Sequence, residues 1–483
     1  MNRSAHLVSV SLFFILSIFL VACASESKTP ILELSTPTPI PVDGEIQINP
    51  SDELQTIEGF GASGAWWAQD VGGWDDGSRE QIIKLLFNQQ EGIGLSIYRY
   101  NIGGGDGESI PDNWRRTETF EVALGEYDWD RDANAIWVLK AAQQAGVENF
   151  VAFANSPPAR MTFSGRTNAD PDQLSNLPPE MYPQFAQYLV DVVRHLQEDE
   201  GIPIGWLSPI NEPQWDWLMQ NGQEGCHYEP DEAAAMTKEL IRVVKENDLD
   251  VKISVFESGE WKKSTDYINN LLGDTEIAPH LDHLAIHSYW SDTLDKERLI
   301  RYMDKNYPGI PIEMTEWTEM EQGRDIRMDS ALLLANTIYQ DLTIGRVISW
   351  QYWIAVSKYN FHDGLLYIAL NDHGITETKR LWAMGNYSRF VRPGYQLVGV
   401  GSSLPRLKTT AFQSPDGSQF VVVIINNGEG AATVSINGLP EDFDQMITYQ
   451  TSAELDLAEI ISGGVLEVFT FAPKSVTTFV YQK

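Results

Sequence analysis

Short apolar runs separated by helical segments recur along the chain between residues 58 and 353. The intervening segments, such as 182–196 and 231–246, carry apolar residues at three- and four-residue spacing, which is typical of amphipathic helices. A strand followed by a helix, eight times over about 300 residues, predicts an α/β fold, a (β/α)₈ TIM barrel, which we assign to residues 45–393. The eight predicted strands are 58–63, 94–101, 149–155, 205–211, 251–257, 283–289, 311–317 and 346–353.

The pattern changes after Pro393, where no helical period remains. Short apolar runs at 419–425, 432–436, 465–469 and 475–481 are separated by turn residues. They predict a side domain, an all-β sandwich, over residues 394–483. Residues 45–50, which precede the barrel, are expected to add an edge strand to this sandwich. Packing support for the barrel is its expected role, and sugar binding is the alternative.

Residues 1–23 are typical of a lipoprotein signal peptide. A basic start at Arg3 precedes an apolar run of about fifteen residues, too short for a usual membrane span. The run leads to LVAC, which resembles a bacterial lipobox and makes Cys23 the predicted site of lipidation; an ordinary secretory signal is the alternative. Residues 24–44 are rich in Ser, Thr and Pro and predict an extended tether. We therefore expect a bacterial cell-surface or extracellular protein, attached to the membrane through this lipid only.

The charge of the chain excludes some classes of partner. With 34 basic and 68 acidic residues, the formal net charge is −34. Such a surface repels nucleic acid and anionic membranes, and disfavours a polyanionic substrate unless a local basic pocket intervenes. Two cysteines cannot form a disulfide framework, and Cys226 is expected to be a partly buried small residue. We expect a monomer.

Polar residues end several of the predicted strands, where a barrel places its catalytic side chains. The carboxylates Glu212 and Glu316 end strands four and seven, so they can face each other across the barrel mouth. Facing carboxylates suit cleavage of a glycosidic bond, because one protonates the leaving oxygen while the other attacks the anomeric carbon. Each glutamate alone is also typical of a surface ion pair. Their coincidence with the His287-Ser-Tyr289 end of strand six favours the catalytic interpretation.

Tryptophans cluster near both carboxylates. Aromatic rings present broad apolar faces that match the C–H face of a sugar ring, although tryptophans more often belong to a core. We expect four of them to form the wall and the sugar-stacking faces of the site: Trp215, Trp217, Trp317 and Trp353.

These motifs together resemble glycoside hydrolase family 30 from about residue 45 to the C-terminus. The resemblance rests on NEP at 211–213 and TEW at 315–317, and on EGFGAS at 58–63. It also includes YRYNIGGG at 98–105, SPP at 156–158 and GNYSRFVRPG at 385–394. The resemblance implies a retaining β-glycosidase with a (β/α)₈ barrel and a side β-sandwich.

Carried over residue by residue, the resemblance gives each polar residue an expected role. Glu212 matches the acid/base and Glu316 the nucleophile. Asn211 matches the residue that binds the sugar's 2-hydroxyl, and Arg99 and Tyr289 match groups that orient the nucleophile. His287 is expected to line the same pocket, with a core histidine as the alternative. Trp353 resembles the aromatic floor under the cleaved sugar. No cofactor is implied, and no metal, because the His and Cys residues lack ligand spacing.

Two segments, SPINEPQWDW at 208–217 and QEGC at 223–226, narrow the range of expected substrates. These segments resemble the branch of the family that contains endo-β-1,6-galactanases, which cut arabinogalactan side chains. Other activities of the family stay open: β-1,6-glucanase, xylan-active enzyme, glucosylceramidase, and exo-β-xylosidase or β-fucosidase. A lipoprotein that binds surface glycans without cutting them is the alternative outside catalysis.

Overall fold

The computed structural model describes residues 41–483. The predicted signal peptide, the lipidation site Cys23 and most of the predicted tether lie outside these residues. Within them, no helix is long and apolar enough to cross a membrane. The strands are β1 (Gly44–Thr56), β2 (Gly59–Ser63), β3 (Ile97–Ile102), β4 (Glu121–Ala123), β5 (Glu126–Tyr127), β6 (Asn149–Ala154), β7 (Ile204–Ser208), β8 (Lys252–Ile253), β9 (Phe256–Ser258), β10 (Leu284–His287), β11 (Ile312–Glu316), β12 (Val347–Tyr352), β13 (Val356–Ser357), β14 (Leu366–Ile368), β15 (Ile375–Glu377), β16 (Gln396–Ser402), β17 (Leu407–Gln413), β18 (Gln419–Asn426), β19 (Ala432–Asn437), β20 (Gln445–Thr451), β21 (Ala458–Gly464), β22 (Val468–Phe471) and β23 (Ser475–Gln482).

The helices of the described chain alternate with the strands of its first part. The α-helices are α1 (Ala68–Val71), α2 (Asp76–Phe87), α3 (Ala133–Gln144), α4 (Tyr182–Glu198), α5 (Pro230–Glu246), α6 (Thr265–Leu272), α7 (Thr293–Asn306), α8 (Met328–Thr343) and α9 (Lys379–Ser388). Single 3₁₀ turns cover Asn113–Arg115, Ala159–Met161, Pro179–Met181, Met219–Asn221, Trp261–Lys263 and Ala278–His280.

Parallel strands with helices between them close into the predicted barrel. Their order around the sheet is β8–β7–β6–β3–β2–β12–β11–β10–β9. The helices from α2 to α9 follow the eight strand positions in turn. Every residue of β2, β3, β10, β11 and β12 is buried, as expected for parallel strands covered by helices on one side and by a packed barrel interior on the other. The (β/α)₈ barrel prediction is confirmed.

The fifth strand of the barrel is interrupted. The predicted strand 251–257 forms two short pieces, β8, which pairs with β7, and β9, which pairs with β10. Backbone hydrogen bonds continue across the break: Ser254 N–H donates to Leu207 O at 3.0 Å, and Ala285 N–H donates to Val255 O at 2.6 Å. The ring is therefore closed, and residues after the break are free to turn toward the barrel mouth.

The C-terminal strands form a second sheet, in the order β21–β20–β23–β18–β17–β16–β1–β19–β22. The N-terminal strand β1 belongs to this sheet, but the predicted edge position is wrong. It pairs antiparallel with β16 and parallel with β19, so it is flanked on both sides. Apolar and polar residues alternate along β1, with Ile46 and Ile48 buried. This alternation predicts which face of the strand is covered, but it does not predict which strands pair with its two edges.

Strand β18 joins the two parts of the described chain. Its even-numbered side chains, Phe420, Val422 and Ile424, belong to the core of the second sheet. The intervening Val421, Val423 and Ile425 belong to the core of the barrel. Burial on both faces accounts for the continuous apolar run QFVVVII. The barrel core and the core of the second sheet therefore lie on opposite faces of β18.

Candidate active site

Glu212 and Glu316 meet at the barrel mouth, as the sequence predicts. Glu316 is the last residue of β11, whereas Glu212 lies in a loop four residues beyond the end of β7. One carboxylate oxygen of each lies within 4.8 Å of the other, and both lie within that distance of a ring nitrogen of His287. Both carboxylates are buried, so their charges interact strongly with each other and with their neighbours.

Arg99 organises the Glu316 side of the site from the middle of β3. Its guanidinium is buried above the Phe153 ring, with 3.5 Å from Cζ to the ring centroid. Nη1 donates to Glu316 Oε2 at 2.6 Å, and Nη2 donates to Asn211 Oδ1 at 2.8 Å. Tyr289 Oη donates to the other oxygen of Glu316 at 3.1 Å. Both oxygens of Glu316 are thus held by donors, which fixes the carboxylate plane and compensates its charge.

His287 connects both carboxylates to a third one, Glu257 of β9. Nδ1 of His287 lies 3.0 Å from Glu212 Oε1 and 3.8 Å from Glu316 Oε1, and Nε2 lies 3.1 Å from Glu257 Oε2. Burial opposes the charged ring, but the charge of Glu316 and the two hydrogen bonds outweigh it and raise the pKa of His287 to about 9. His287 is therefore part of the charged network, and the alternative of a plain core histidine is not supported.

Glu257 is the residue that sequence reasoning missed. It is fully buried, and burial alone would raise its pKa, but the nearby Arg99 charge and the hydrogen bonds from His287 and Thr315 lower that pKa to about 2. A carboxylate that stays ionised beside His287 keeps the ring protonated and fixes its orientation. Its position in the sequence could have identified it, since Glu257 ends the fifth predicted strand just as Glu316 lies at the end of the seventh.

The pKa of Glu212 is shifted in the opposite direction to that of Glu257. Burial raises the pKa of Glu212, and the charge of Glu316 adds to the increase, while the hydrogen bond and charge of His287 oppose it. Its backbone is in the left-handed region, with φ 46°, and its N–H donates to Glu257 O at 2.9 Å. The indole N–H of Trp217 donates to Glu212 O at 2.9 Å. These bonds hold an unfavourable backbone conformation at Glu212, a pattern found at functional sites.

The lack of a side chain at Gly259 leaves room for the side chain of Glu212. A Cβ atom at residue 259 would lie 2.4 Å from Gln214 Nε2, 2.7 Å from Glu212 Oε1 and 3.0 Å from Trp215 Nε1. Such distances are far shorter than van der Waals contact. Glycine is therefore required at this position if the carboxylate, the amide and the indole are to keep their places.

A cleft of about 1020 Å³ contains the two carboxylates. One aromatic pair, Trp66 and Trp353, lies after the neighbouring strands β2 and β12, with ring centroids 5.1 Å apart and planes at 85°. The second pair, Trp215 and Trp290, follows β7 and β10, with centroids 5.6 Å apart and planes at 78°. Trp353 and Trp215 therefore line the cleft as expected, and Trp290 is an addition.

Trp317 does not line the cleft, and its expected role in the sugar-binding wall is wrong. It is buried and packs 6.1 Å from Trp350 and 6.3 Å from Tyr352, between ring centroids. Its neighbours Glu316 and Thr318 both line the cleft. Because successive side chains of an extended segment point to opposite sides, the residue between them points into the core.

An amide chain supports Asn211 from behind. Asn211 Nδ2 donates to Asn155 Oδ1 at 3.0 Å, and Asn155 Nδ2 donates to Asn101 Oδ1 at 2.9 Å. With Arg99 on its oxygen, Asn211 is fixed in one amide orientation. The contribution of Asn155, which follows the end of β6, was not predicted.

Glu212, His287 and Glu316 are also spaced closely enough to hold a metal ion. Both oxygens of Glu316 already accept hydrogen bonds, from Arg99 and Tyr289. Both ring nitrogens of His287 lie within hydrogen-bond distance of carboxylates, on Glu212 and Glu257. These three side chains are therefore engaged with their neighbours rather than free to bind a cation. Cys226 is buried, and burial raises the pKa of its thiol to about 12, so it is not a reactive thiolate.

Two family models match this chain. O-Glycosyl hydrolase family 30 matches residues 43–302 and 309–367, and the glycosyl hydrolase family 30 beta sandwich domain matches residues 396–479. The endo-beta-1,6-galactanase of Hypocrea rufa is 23% identical, with 82% of this chain and 83% of the relative covered. The glucuronoxylanase XynC of Bacillus subtilis (strain 168) is 22% identical, with 91% and 92% covered.

A solved structure shares the whole architecture. The conserved exported protein from Bacteroides fragilis has a TM-score of 0.83 and 26% identity, covering 90% of this chain and 100% of its own. The family model alone matches well over half of the residues, and the barrel, the sandwich and the facing carboxylates agree with it. The chain therefore belongs to glycoside hydrolase family 30 and is a glycosidase.

Proposed function

We propose that this protein hydrolyses a β-linked polysaccharide with retention of configuration, through a covalent glycosyl-enzyme. The separation of the carboxylates carries this proposal. Retaining glycosidases place the two carboxyl groups about 5–5.5 Å apart, and inverting ones about 6.5–9.5 Å. The oxygens of Glu212 and Glu316 within 4.8 Å leave no room for a water molecule between an inverting pair and the sugar.

The residues divide the reaction between them. In the first step Glu316 forms a bond to the anomeric carbon as the glycosidic C–O bond breaks, and Glu212 gives its proton to the leaving oxygen. In the second step Glu212, now ionised, takes a proton from water, whose oxygen attacks the anomeric carbon and releases Glu316. The raised pKa of Glu212 suits the acid role. Arg99 and Tyr289 hold Glu316 in line, and Asn211 is placed to bind the sugar's 2-hydroxyl, a contact that strengthens as charge develops.

We propose β-1,6-galactan, as in arabinogalactan side chains, as the substrate of an endo-acting enzyme. The galactanase of Hypocrea rufa, which matches over 82% of this chain, and the stretch SPINEPQWDW support this choice. A glucuronoxylan is the second candidate, and Arg115 is the observation that favours it. This arginine lines the cleft, and its guanidinium lies 4.6 Å from the Trp66 ring centroid. It donates to Tyr359 Oη at 3.0 Å and to Gln223 Oε1 at 3.2 Å, both neutral acceptors.

Product analysis tests both proposals. The purified protein is incubated with de-arabinosylated arabinogalactan, with β-1,6-glucan and with glucuronoxylan. Release of β-1,6-galacto-oligosaccharides whose new reducing ends first appear as the β-anomer is the expected result. Cleavage of another glycan with retention would support the proposed mechanism and refute galactan as the substrate. An α-anomer as the first product would refute double displacement, and binding without cleavage of any glycan would favour a glycan-binding protein.

We further propose that the enzyme acts at the bacterial cell surface, attached through a lipid on Cys23. The support is the sequence LVAC after an apolar run, followed by a Ser/Thr/Pro-rich segment. Polymeric glycans do not cross membranes, so a surface enzyme has access to them.

A further inference from the structure

Trp290 differs from every other tryptophan of this protein. All fifteen lie within the described residues, and of these only Trp290 is exposed, with 55% of its surface accessible. It lines the catalytic cleft beside Tyr289, a contact of Glu316. A large apolar side chain left in water at the rim of a binding cleft is a mark of an interaction site.

The backbone holds this ring outward at a cost. Trp290 has φ 44°, in the left-handed region that aromatic residues rarely adopt. The segment around it is fixed, because Ser291 Oγ donates to Tyr289 O at 2.8 Å and accepts from Trp261 N–H at 3.0 Å. A strained conformation kept in place by its neighbours points to a role for the outward ring.

The two aromatic pairs of the cleft lie over opposite parts of the barrel. Trp66 and Trp353 follow the first and eighth strands, whereas Trp215 and Trp290 follow the fourth and sixth, on either side of the interrupted fifth strand. Trp215 belongs to the same loop as Glu212, and its indole nitrogen and Glu212 Oε1 both approach Gly259. The second pair therefore lies on the side of the proposed acid, where the leaving sugar departs.

We propose that Trp290, packed edge-to-face with Trp215, is the stacking platform for the sugar unit on the leaving-group side of the cleaved bond. This inference rests on the proposed glycosidase function and deepens it. With sugars held on both sides of the carboxylates, the enzyme recognises at least one sugar unit beyond the cleaved bond. The cleft volume of about 1020 Å³ accommodates several sugar units.

The test compares substrates with and without a sugar on the leaving side. β-1,6-Galactotetraose carries sugar units on the leaving side, whereas β-1,6-galactobiosyl fluoride carries the same non-reducing sugars and only fluoride as its leaving group. For Trp290→Ala we expect the ratio of kcat/KM for tetraose to that for the fluoride to fall about tenfold, the loss of one stacking contact. Most of the tetraose loss should lie in KM, and Trp290→Phe should restore most of the ratio.

Phe163→Ala is the matched control, since Phe163 is 54% exposed and does not line the cleft. An equal fall on both substrates, or no change in the ratio, would overturn the platform. If the wild-type enzyme leaves galactan intact but cleaves β-1,6-glucan or xylan, galactan fails as substrate, and the same ratio is measured with oligosaccharides of that glycan. If no glycan is cleaved, binding of galactan, β-1,6-glucan and xylan oligosaccharides is measured by calorimetry. The two proteins compared are Glu316→Gln and the double variant Glu316→Gln with Trp290→Ala. Equal affinities of these two proteins would refute the inference.

Discussion

Nδ1 of His287 lies 3.0 Å from Glu212 Oε1, while its Nε2 lies 3.1 Å from Glu257 Oε2. The ring thus stands between an ionised carboxylate, with a pKa of about 2, and one whose pKa is raised. In the proposed mechanism, the protonated ring is already in place to stabilise the new charge when Glu212 gives up its proton. Glu257 keeps that imidazolium charged and oriented, as an electrostatic support one step removed from the substrate.

The first prediction concerns the nucleophile. Glu316→Gln should lower kcat by at least about 10³-fold, because the neutral amide cannot attack the anomeric carbon as a carboxylate does. The amide preserves the shape of the side chain, so the thermal unfolding temperature should stay within a few degrees of wild type. Activity within tenfold of wild type would show that Glu316 is not the nucleophile.

The second prediction separates the acid from the nucleophile. Glu212→Gln should lower kcat/KM on a natural glycan by about 10²–10⁴-fold, the usual contribution of general acid catalysis. An aryl glycoside with a strongly acidic phenol needs no proton, so formation of its glycosyl-enzyme should be nearly unaffected. Added azide should then accelerate turnover and yield a β-glycosyl azide, detected by mass spectrometry and NMR. Loss of activity in equal measure on both substrates would contradict the acid role.

The third prediction tests the space at residue 259. Gly259→Ala should displace the Glu212 carboxylate, since the new methyl would lie 2.7 Å from its Oε1. We expect a fall of about 10- to 100-fold on the natural glycan, as for small misplacements of a catalytic group, and a smaller fall on the activated aryl glycoside. Gly205→Ala in β7 is the control, because a Cβ there meets nothing within 4 Å. Equal kinetics of the two variants would remove Gly259 from the mechanism.

The fourth prediction follows from the pKa of His287, raised from 6.5 to about 9 in the folded state. Protonated His287 stabilises the folded state fully below pH 6.5, and this stabilisation is lost as pH rises through 9. The reason is that between these values the folded state holds a proton that the unfolded state has released. Its size is on the order of 3 kcal/mol. Calorimetric unfolding between pH 6 and 10 should show this decline in the wild type and in His280→Gln. If His287→Gln declines equally, the decline belongs to other groups.

The fifth prediction concerns attachment. Cys23→Ser should move the protein from the membrane fraction to the soluble fraction of a bacterial host, since the thiol that carries the lipid is gone. Cys226→Ser, at a buried thiol, is the control and should fractionate like wild type. Unchanged fractionation of Cys23→Ser would disprove the lipobox assignment.

The barrel and its two carboxylates were predictable because their signals are local. Glu316 follows an apolar run, and each run is separated from the next by a helix with a clear period. The position of β1 and the extra strands β16, β17, β20 and β21 were not predictable in the same way. Gly399 and Gly401 lie within β16, and Gly463 and Gly464 end β21, so the β-strand pattern of both segments is weak in the sequence, and pairing across the chain determines the rest.

Orientation of individual side chains was the other limit. Trp317 and Trp290 are both tryptophans next to an expected site residue, yet one is buried in the core and the other stands exposed in the cleft. Strand alternation accounts for the first, and a positive φ, which no propensity predicts, accounts for the second. Glu257 was overlooked because it has no motif around it, although it ends its predicted strand as the other two glutamates do.

The central place of β1 has a consequence for the order in which the molecule is made. Ile46 pairs with Ser402 and with Ile436, so the first strand of the described residues stays without either partner until most of the polypeptide has been synthesised. The sheet is therefore completed late, through contacts of very long sequence separation, which form slowly.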